Sequence, residues 1–405
     1  MINYDYTARD STGKKVTSSV QASNERAAAR LIKEQGLTLV DLQSNTSGGG
    51  GLFSSFRNRI KTKEKIIFAR QLSTLINAGL PLVQSLRSVA DQTDSKPMKL
   101  VINDIIVRVE AGGKFSEALM AYPKVFGQVF VSLVASGEVS GTLDNSLERL
   151  AHQQEKDAEV NSKVRGALVY PAVVLLVMIG VVTFMLVGVL PQVEELYDGL
   201  PGARLPFVTR LLLAISGFVT SFWWLVVIIL FVAGVLGRRW VQTIGGRRAF
   251  DRLKMRAPPF GQLFMKLYMA RFSRTGSTLV ASGVPLIQVL EIVSKAVNNV
   301  IIADSINGAI EKVKGGRALS DSIEGDSSFL SLVPNMLRIG EQSGSIEQMM
   351  ERSAIYYEKE VDNQIKTIST IIEPILMVIL GIVAITIVAA ILLPIYSLVG
   401  ENVLR

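Results

Sequence analysis

The sequence predicts a mostly α-helical, polytopic membrane protein with three transmembrane helices, two homologous helical-bundle domains and a small N-terminal α/β unit. Three observations carry that prediction. Three stretches hold no charged residue: Gly166–Val193, Leu211–Gly237 and Pro374–Gly400, each 27 or 28 residues long. A span needs roughly 20 apolar residues to cross about 30 Å of hydrocarbon, and uncharged core helices are usually shorter than these runs. A long segment recurs within the chain, and the apolar spacing inside each copy is helical. The 405 residues are 49% hydrophobic and only 19% charged, below the roughly 25% of soluble chains, and the deficit is concentrated in the three runs.

The first residues read as a small α/β unit. Ile2, Tyr4, Tyr6 and Ala8 alternate as a strand does, Asp10-Ser11-Thr12-Gly13 forms a turn, and Val16, Ser18 and Val20 continue a second strand. Ser23 or Asn24 caps a helix expected to bury Ala27, Ala28 and Leu31, and Gly36 stops it. Leu37, Leu39 and Val40 suggest a last short strand. Ser47-Gly48-Gly49-Gly50-Gly51 has the composition of a flexible tether. The basic segment after it, with Phe53, Phe56 and Ile60, either lies on an anionic membrane surface or opens the next domain. No basic-then-apolar pattern opens the chain, so no cleaved signal peptide is expected.

The internal repeat sets the rest of the architecture. FARQLSTLINAGLPL from Phe68 recurs as FSRTGSTLVASGVPL from Phe272, pairing Arg70 with Arg274, Gly79 with Gly283 and Pro81 with Pro285 at an offset of 204. Gly137-Glu138-Val139-Ser140-Gly141 recurs as Gly340-Glu341-Gln342-Ser343-Gly344, Pro171 as Pro374 and Pro191 as Pro394, all at an offset of 203. The duplicated unit is therefore a helical domain plus one span. Within the first copy, Phe68, Leu72, Leu75 and Ile76 form one apolar face. Gly79 ends that helix, and Pro81 and Pro97 suit the first turns of the next two. Gly112-Gly113 stops a helix, Ser116 is a plausible cap for a short one, and a long polar helix leads from Leu143 toward the membrane. About six helices per copy are expected. Gly276, where the first copy has Leu72, is expected to loosen its helix by roughly 1 kcal/mol relative to Ala.

The boundaries that follow are an N-terminal unit (1–46), a linker and basic segment (47–63), helical copy 1 (64–165) and span 1 (168–190). A short loop (191–210), span 2 (211–237), a basic connector (238–267), copy 2 (268–372), span 3 (374–397) and a tail (398–405) complete the chain. The connector carries Arg238, Arg239, Arg247, Arg248, Arg252, Lys254 and Arg256 against the single acid Asp251, whereas the 191–210 loop carries Glu194, Glu195 and Asp198 against Arg204 and Arg210. Basic residues collect on the cytoplasmic flank. The N-terminus and both helical copies are thus expected in the cytoplasm, and the C-terminus outside. That bias accounts for the Arg cluster beside a span, so direct nucleic-acid binding is not expected.

At this point the residues resemble a known family. ARQLSTLINAGLPLVQSL, ASGEVSGTLDNSLERLA and ALVYPAVVLL ending in VLPQV are similar to the first half of the inner-membrane platform proteins of type II secretion (protein F) and type IV pilus (PilC-like) machines. LRIGEQSGSIEQMMERSA, IIEPILMVILGI and ILLPIYSL are similar to their second half, and YDYTARDSTGKKV with ASNERAAARLIKEQGL to their N-terminal region. The resemblance implies a homo-oligomeric platform that couples a cytoplasmic hexameric ATPase to the extraction and polymerisation of pilin or pseudopilin subunits, alongside other inner-membrane assembly proteins. The alternative is a component of an oligomeric membrane transporter, where repeats also occur, although there the repeats lie in the bilayer and carry polar sites at mid-depth.

Catalytic signatures are missing from the sequence. There is no Cys and the only His is His152, so no thiolate or multi-His site is available. Gly112-Gly113-Lys114 and Gly315-Gly316-Arg317 lack the length and the following Ser or Thr of a phosphate-binding loop. Neither enzymatic activity nor a cofactor is expected. The candidate positions are structural or partner-contacting: Gly79, Pro81, Gly137, Glu138 and Gly141 in the first copy, and Gly283, Pro285, Gly340, Glu341 and Gly344 in the second. Glu138 and Glu341 either satisfy helix-end N–H groups at a tight turn formed by their flanking glycines, or meet a partner or cation. Turn geometry already calls for glycine, which favours the first reading. Glu373, beside Pro374 at the mouth of the third span, is either a headgroup-level carboxylate or a contact for a pilin's N-terminal amine or a neighbouring helix.

Overall fold

The computed structural model describes residues 2–9, 15–22, 25–34, 38–45, 60–192 and 207–403. The expected turn at 10–13, the caps Ser23 and Asn24, Gly36, the glycine tether with Phe53 and Phe56, and the acids of the 191–210 loop lie outside the described residues. The chain divides into two units, Met1–Lys61 and Thr62–Arg405.

In the first unit the alternating segment becomes β1 (Ile2–Arg9), the central strand of a three-stranded antiparallel sheet. β2 (Lys15–Ala22) flanks it with Tyr4 opposite Val20 and Ala8 opposite Val16, and β3 (Thr38–Asn45) pairs on the other side with an irregularity between Thr7 and Ala8. α1 (Glu25–Glu34) buries Ala28 and Ile32 completely, four residues apart and hence on one face. Val20 and Ala27 pack against Ala28. Leu31, expected in this core, is instead exposed, because the Ala28–Ile32 stripe turns it outward.

The first copy of the repeat folds as α2 (Thr62–Asn77), α3 (Leu82–Gln92), α4 (Lys96–Glu110), α5 (Phe115–Met120), α6 (Gln128–Ser140) and α7 (Leu143–Phe184). α8 (Phe207–Ser221), α9 (Trp223–Gln242) and α10 (Ile244–Arg256) connect it to the second copy. That copy is α11 (Phe260–Ala281), α12 (Leu286–Ala296), α13 (Val300–Lys314), α14 (Leu319–Ile323), α15 (Leu332–Ser343) and α16 (Ile346–Val403).

Local chemistry explains the punctuation. Gly79 and Gly283 take φ of +86° and +78° after α2 and α11, a region open to glycine at little cost. Pro81 and Pro285 stand immediately before α3 and α12, at the cap position. Ser95 caps α4, with Pro97 in its first turn, and the Asn299 side chain accepts from the N–H groups of Ile301 and Ile302 at 2.9 and 3.1 Å to cap α13. The first bundle closes on Phe68, Phe126 and Phe130, with ring centroids 5.6 Å (Phe68–Phe126) and 4.8 Å (Phe126–Phe130) apart. In the second, Phe272 meets Phe329 edge-on at 5.3 Å.

Among the described residues three helices are long and apolar enough to cross a membrane, and their most apolar windows are between 0 and 11% buried by protein. Leu176, Phe184, Leu230, Phe231, Met377 and Ile385 present their side chains outward, as lipid-facing residues do. Span 1 is the continuation of α7, and span 3 of α16. Pro171, Pro374 and Pro394 sit inside continuous helix, a placement bilayers tolerate when neighbouring groups re-satisfy the backbone. α7 ends in a π turn, Met185–Val189, where the Ser216 hydroxyl donates to the Leu186 carbonyl. The run Leu211–Gly237 is not one helix. It breaks at Phe222 (φ −118°, ψ 25°) into α8 and α9, and the candidate span is Trp224–Gln242. Leu190, Leu213 and Ala390 meet in a small apolar cluster joining the end of span 1, α8 and span 3.

Candidate functional site

The two Gly-Glu-x-x-Gly motifs occupy equivalent corners of the two bundles, and each of their residues has a separate job. Gly141 and Gly344 end α6 and α15 in the left-handed region, with φ of +73° and +71°. The N–H of Thr142 and of Ser345 then return to the carbonyls of Gly137 and Gly340 at 2.9 and 2.8 Å, the six-to-one closure of a helix C-terminus. Gly137 and Gly340 accept these closing bonds through their carbonyls, but the turn's positive φ does not fall on them. They lie inside their helices, where a Cβ on Gly137 would come within 2.6 Å of the Ser146 Cβ, and one on Gly340 within 2.9 Å of the Ile346 Cα. Their role is to let the following long helix approach closely.

Glu138 reaches away from its own turn to the start of α5. Its carboxylate accepts from the N–H of Phe115 at 2.7 Å, the N–H of Ser116 at 3.1 Å and the Ser116 hydroxyl at 2.6 Å. Glu341 does the same for α14, accepting from the N–H of Leu319 at 2.6 Å, the N–H of Ser320 at 3.2 Å and the Ser320 hydroxyl. A carboxylate at a helix start satisfies orphan donors and meets the positive end of the dipole. Ser116 is thus the second residue of α5 and not its cap; the cap position is Lys114. Both glutamates are half-buried and fully engaged. Glu373 lies in α16, exposed, and among the described residues it has no hydrogen-bond or ion-pair partner.

A second duplicated feature ties the first helix of each copy to its last. Arg70 binds Glu155 in a two-pronged pair, and Arg274 binds Glu358 with contacts of 2.7 and 2.9 Å. The Arg70 guanidinium holds the Glu155 carboxyl below the usual carboxylate range. The pairs differ in setting: both side chains of the first are 39% exposed, whereas those of the second are 9% and 19% exposed. Gly276 gains its meaning in the same copy, because a Cβ there would collide with the tip of Met350. The first copy has Leu72 and Leu147 at these two places, so a small–large pair replaces a large–large one.

The copies pack on one another through different faces. The first contributes α6 and α7: the Ser136 hydroxyl donates to the Ser282 carbonyl, Arg149 lies 3.5 Å from Glu347, and Lys163 is 2.7 Å from Asp362. Gln153, buried, donates to Thr275 at 3.2 Å and accepts from Thr278 at 3.1 Å. These residues of the second copy lie on α11 and α16, with Ser282 just past α11. A cleft of about 300 Å³ runs along the junction past Gln128, Asp157, Arg271 and Lys295. Burial pushes the Asp157 carboxyl up, against the pull of Arg271. Among the described residues no group of three or more His, Cys, Asp or Glu is placed to hold a metal ion.

Residues 68–191 and 272–394 each match the family described as type II secretion system (T2SS), protein F, and residues 1–43 match the type II secretion system protein F, N-terminal domain. The chain belongs to the type II secretion system protein F family. The two matches of this family's repeated domain coincide with the two copies read from the sequence offset. It is 36% identical over 404 residues, 98% of each chain, to the type IV pilus assembly protein PilC of Thermus thermophilus. It is 34% identical to the type IV pilus assembly protein PilC of Myxococcus xanthus, over 97% of this chain and 94% of that one. It is also 32% identical to the type II secretion system protein F of Aeromonas hydrophila, over 93% and 98% of the two chains. Sequence reasoning found Arg70 and Arg274 in this family member but missed Glu155 and Glu358, although they keep the 203-residue offset of the repeat.

Proposed function

We propose that this chain is an inner-membrane platform on which type IV pilus or type II secretion pseudopilus subunits are assembled. The cytoplasmic helical copies contact a hexameric secretion or pilus ATPase, and the spans face the apolar helices of pilin-like subunits as these leave the bilayer. The N-terminus lies in the cytoplasm and the C-terminus outside, as the basic connector at 238–256 favours. The observation that carries this reading is family membership over the whole length, with relatives named for pilus assembly and for secretion.

The architecture supplies a physical reason. α7 and α16 each run without a break from a folded bundle into an apolar span, over 42 and 58 residues, or about 63 and about 87 Å at the helical rise. A push on a bundle is thereby delivered to a span through one continuous helix. The chemistry that drives the push belongs to the ATPase partner. A deletion strain tests the proposal: fibre subunits should accumulate unassembled in the inner membrane and return to fibres on complementation. Normal fibre assembly and secretion without the chain would refute it.

A further inference from the structure

The internal duplication leaves one copy of a matched pair of faces unused at each end of the chain. The junction between the copies joins unlike faces: copy 1 offers α6 and α7, and copy 2 offers α11 and α16. The mirror contacts do not form among the described residues, so the same two kinds of face remain open, α15 and α16 on copy 2 and α2 and α7 on copy 1. We propose that these free faces bind each other between chains, so that copy 2 of one chain seats on copy 1 of the next by repeating the contact seen inside the chain.

The repeat offsets turn this into named pairs. The Arg149–Glu347 contact becomes Arg352 against Asp144 of the next chain. Arg352 is exposed and Asp144 half-buried, and neither has an ion-pair partner among the described residues. The Lys163–Asp362 pair becomes Lys366 against Glu159. The signs are retained in both, and Glu159 also pairs within its own helix with Lys156 and Lys163 at 2.9 Å. Where Ser136 meets the Ser282 carbonyl, the equivalents are Ile339 and Ala78: Ile339 is 51% exposed, Ala78 is exposed, and a polar contact is replaced by an apolar one. Where Gln153 meets Thr278, the equivalents are Tyr356, 50% exposed, and Thr74, also exposed. Opposite charges are thus kept at two positions, Ile339 and Ala78 are both apolar, and Tyr356 is set against a threonine that both copies share, so the two free faces stay complementary.

A head-to-tail contact of this kind closes into a ring or runs on as a helix. The inference rests on the membrane reading at this step: α7 and α16 both enter the bilayer, so the operation relating the copies cannot lift successive spans out of it. The contact then closes as a ring about the membrane normal, with copy 1 and copy 2 alternating around it.

The chain has no Cys, which makes disulfide trapping clean. Thr74→Cys and Tyr356→Cys would be placed on separately tagged full-length chains and co-expressed in native membranes, then oxidised. The expected result is a mixed dimer from the co-expressed pair and little from either variant alone. Combining both substitutions in one chain should give a ladder ending at one closed size. As a second readout, Arg352→Asp should lower mixed-dimer yield roughly fivefold, and Asp144→Arg on the other chain should restore it. Absence of a mixed dimer from membrane-inserted chains, or equal dimers from Tyr356→Cys alone, would overturn the proposal. Neither motor nor fibre subunit enters this readout, so its failure is separable from failure of the platform function.

Discussion

Replacing Glu138 or Glu341 separates a capping role from a partner-contact role. Each carboxylate holds two backbone N–H groups and a serine hydroxyl at the start of a short helix. Hydrogen bonds to a charged group are each worth about 1.5–3 kcal/mol net when well buried, and loss of a cap costs about 0.5–2 kcal/mol. These carboxylates are half-buried, so Glu→Ala should cost about 2–3 kcal/mol and Glu→Gln, which keeps one acceptor, about 1 kcal/mol. The loss is local. Hydrogen exchange on the full chain in lipid nanodiscs should show peptides covering 115–120, for Glu138→Ala, exchanging about thirtyfold faster. For Glu341→Ala the affected peptides cover 319–323. The α2 and α11 peptides should move little. Unchanged exchange at both short helices, combined with lost assembly activity, would refute the capping argument and make the glutamates contacts for a partner.

Three further outcomes follow from the geometry. Gly137→Ala and Gly340→Ala drive a Cβ into the start of the next helix and should each destabilise by about 1–3 kcal/mol; Gly276→Ala meets only the flexible tip of Met350 and should stay within about 1 kcal/mol, the order being read from thermal unfolding in detergent. Arg274→Met leaves Glu358 largely buried without its partner and should cost about 3–5 kcal/mol, against about 1 kcal/mol or less for Arg70→Met at the half-exposed pair, measured the same way. Asp157→Asn should raise the unfolding temperature at pH 7: burial lifts the carboxyl above its ordinary 3.8, so the parent chain loses stability as pH rises from there through the folded value, and the gain from Asn should vanish below about pH 3.5.

Much of the helical layout was legible because glycine and proline mark it chemically. Gly79, Pro81, Pro97 and Gly141 each stand at a helix end where a positive φ or a missing N–H is tolerated, and the offset of the repeat reproduced those ends in the second copy. Side-chain partners were less legible. Glu138 was expected to satisfy a helix end, but the helix lies 22 residues earlier, a distance set by the bundle and not by local sequence. Gly137 and Gly340 were read as turn glycines because adjacency suggests a turn, whereas their constraint comes from a helix packed across them. The break at Phe222 carries no proline and no charge, so composition runs through it unmarked. The Gly276–Met350 exchange looked like a weakened helix in isolation and makes sense only when both members of the packed pair are seen.

Photo-crosslinking from native membranes, with the chain tagged at its N-terminus and a crosslinker on the exposed surface of the first helical copy, tests the platform claim most directly. Recovery of a hexameric secretion or pilus ATPase together with pilin-like subunits is the expected result. Recovery of neither, with both expressed and the chain correctly inserted, would contradict it.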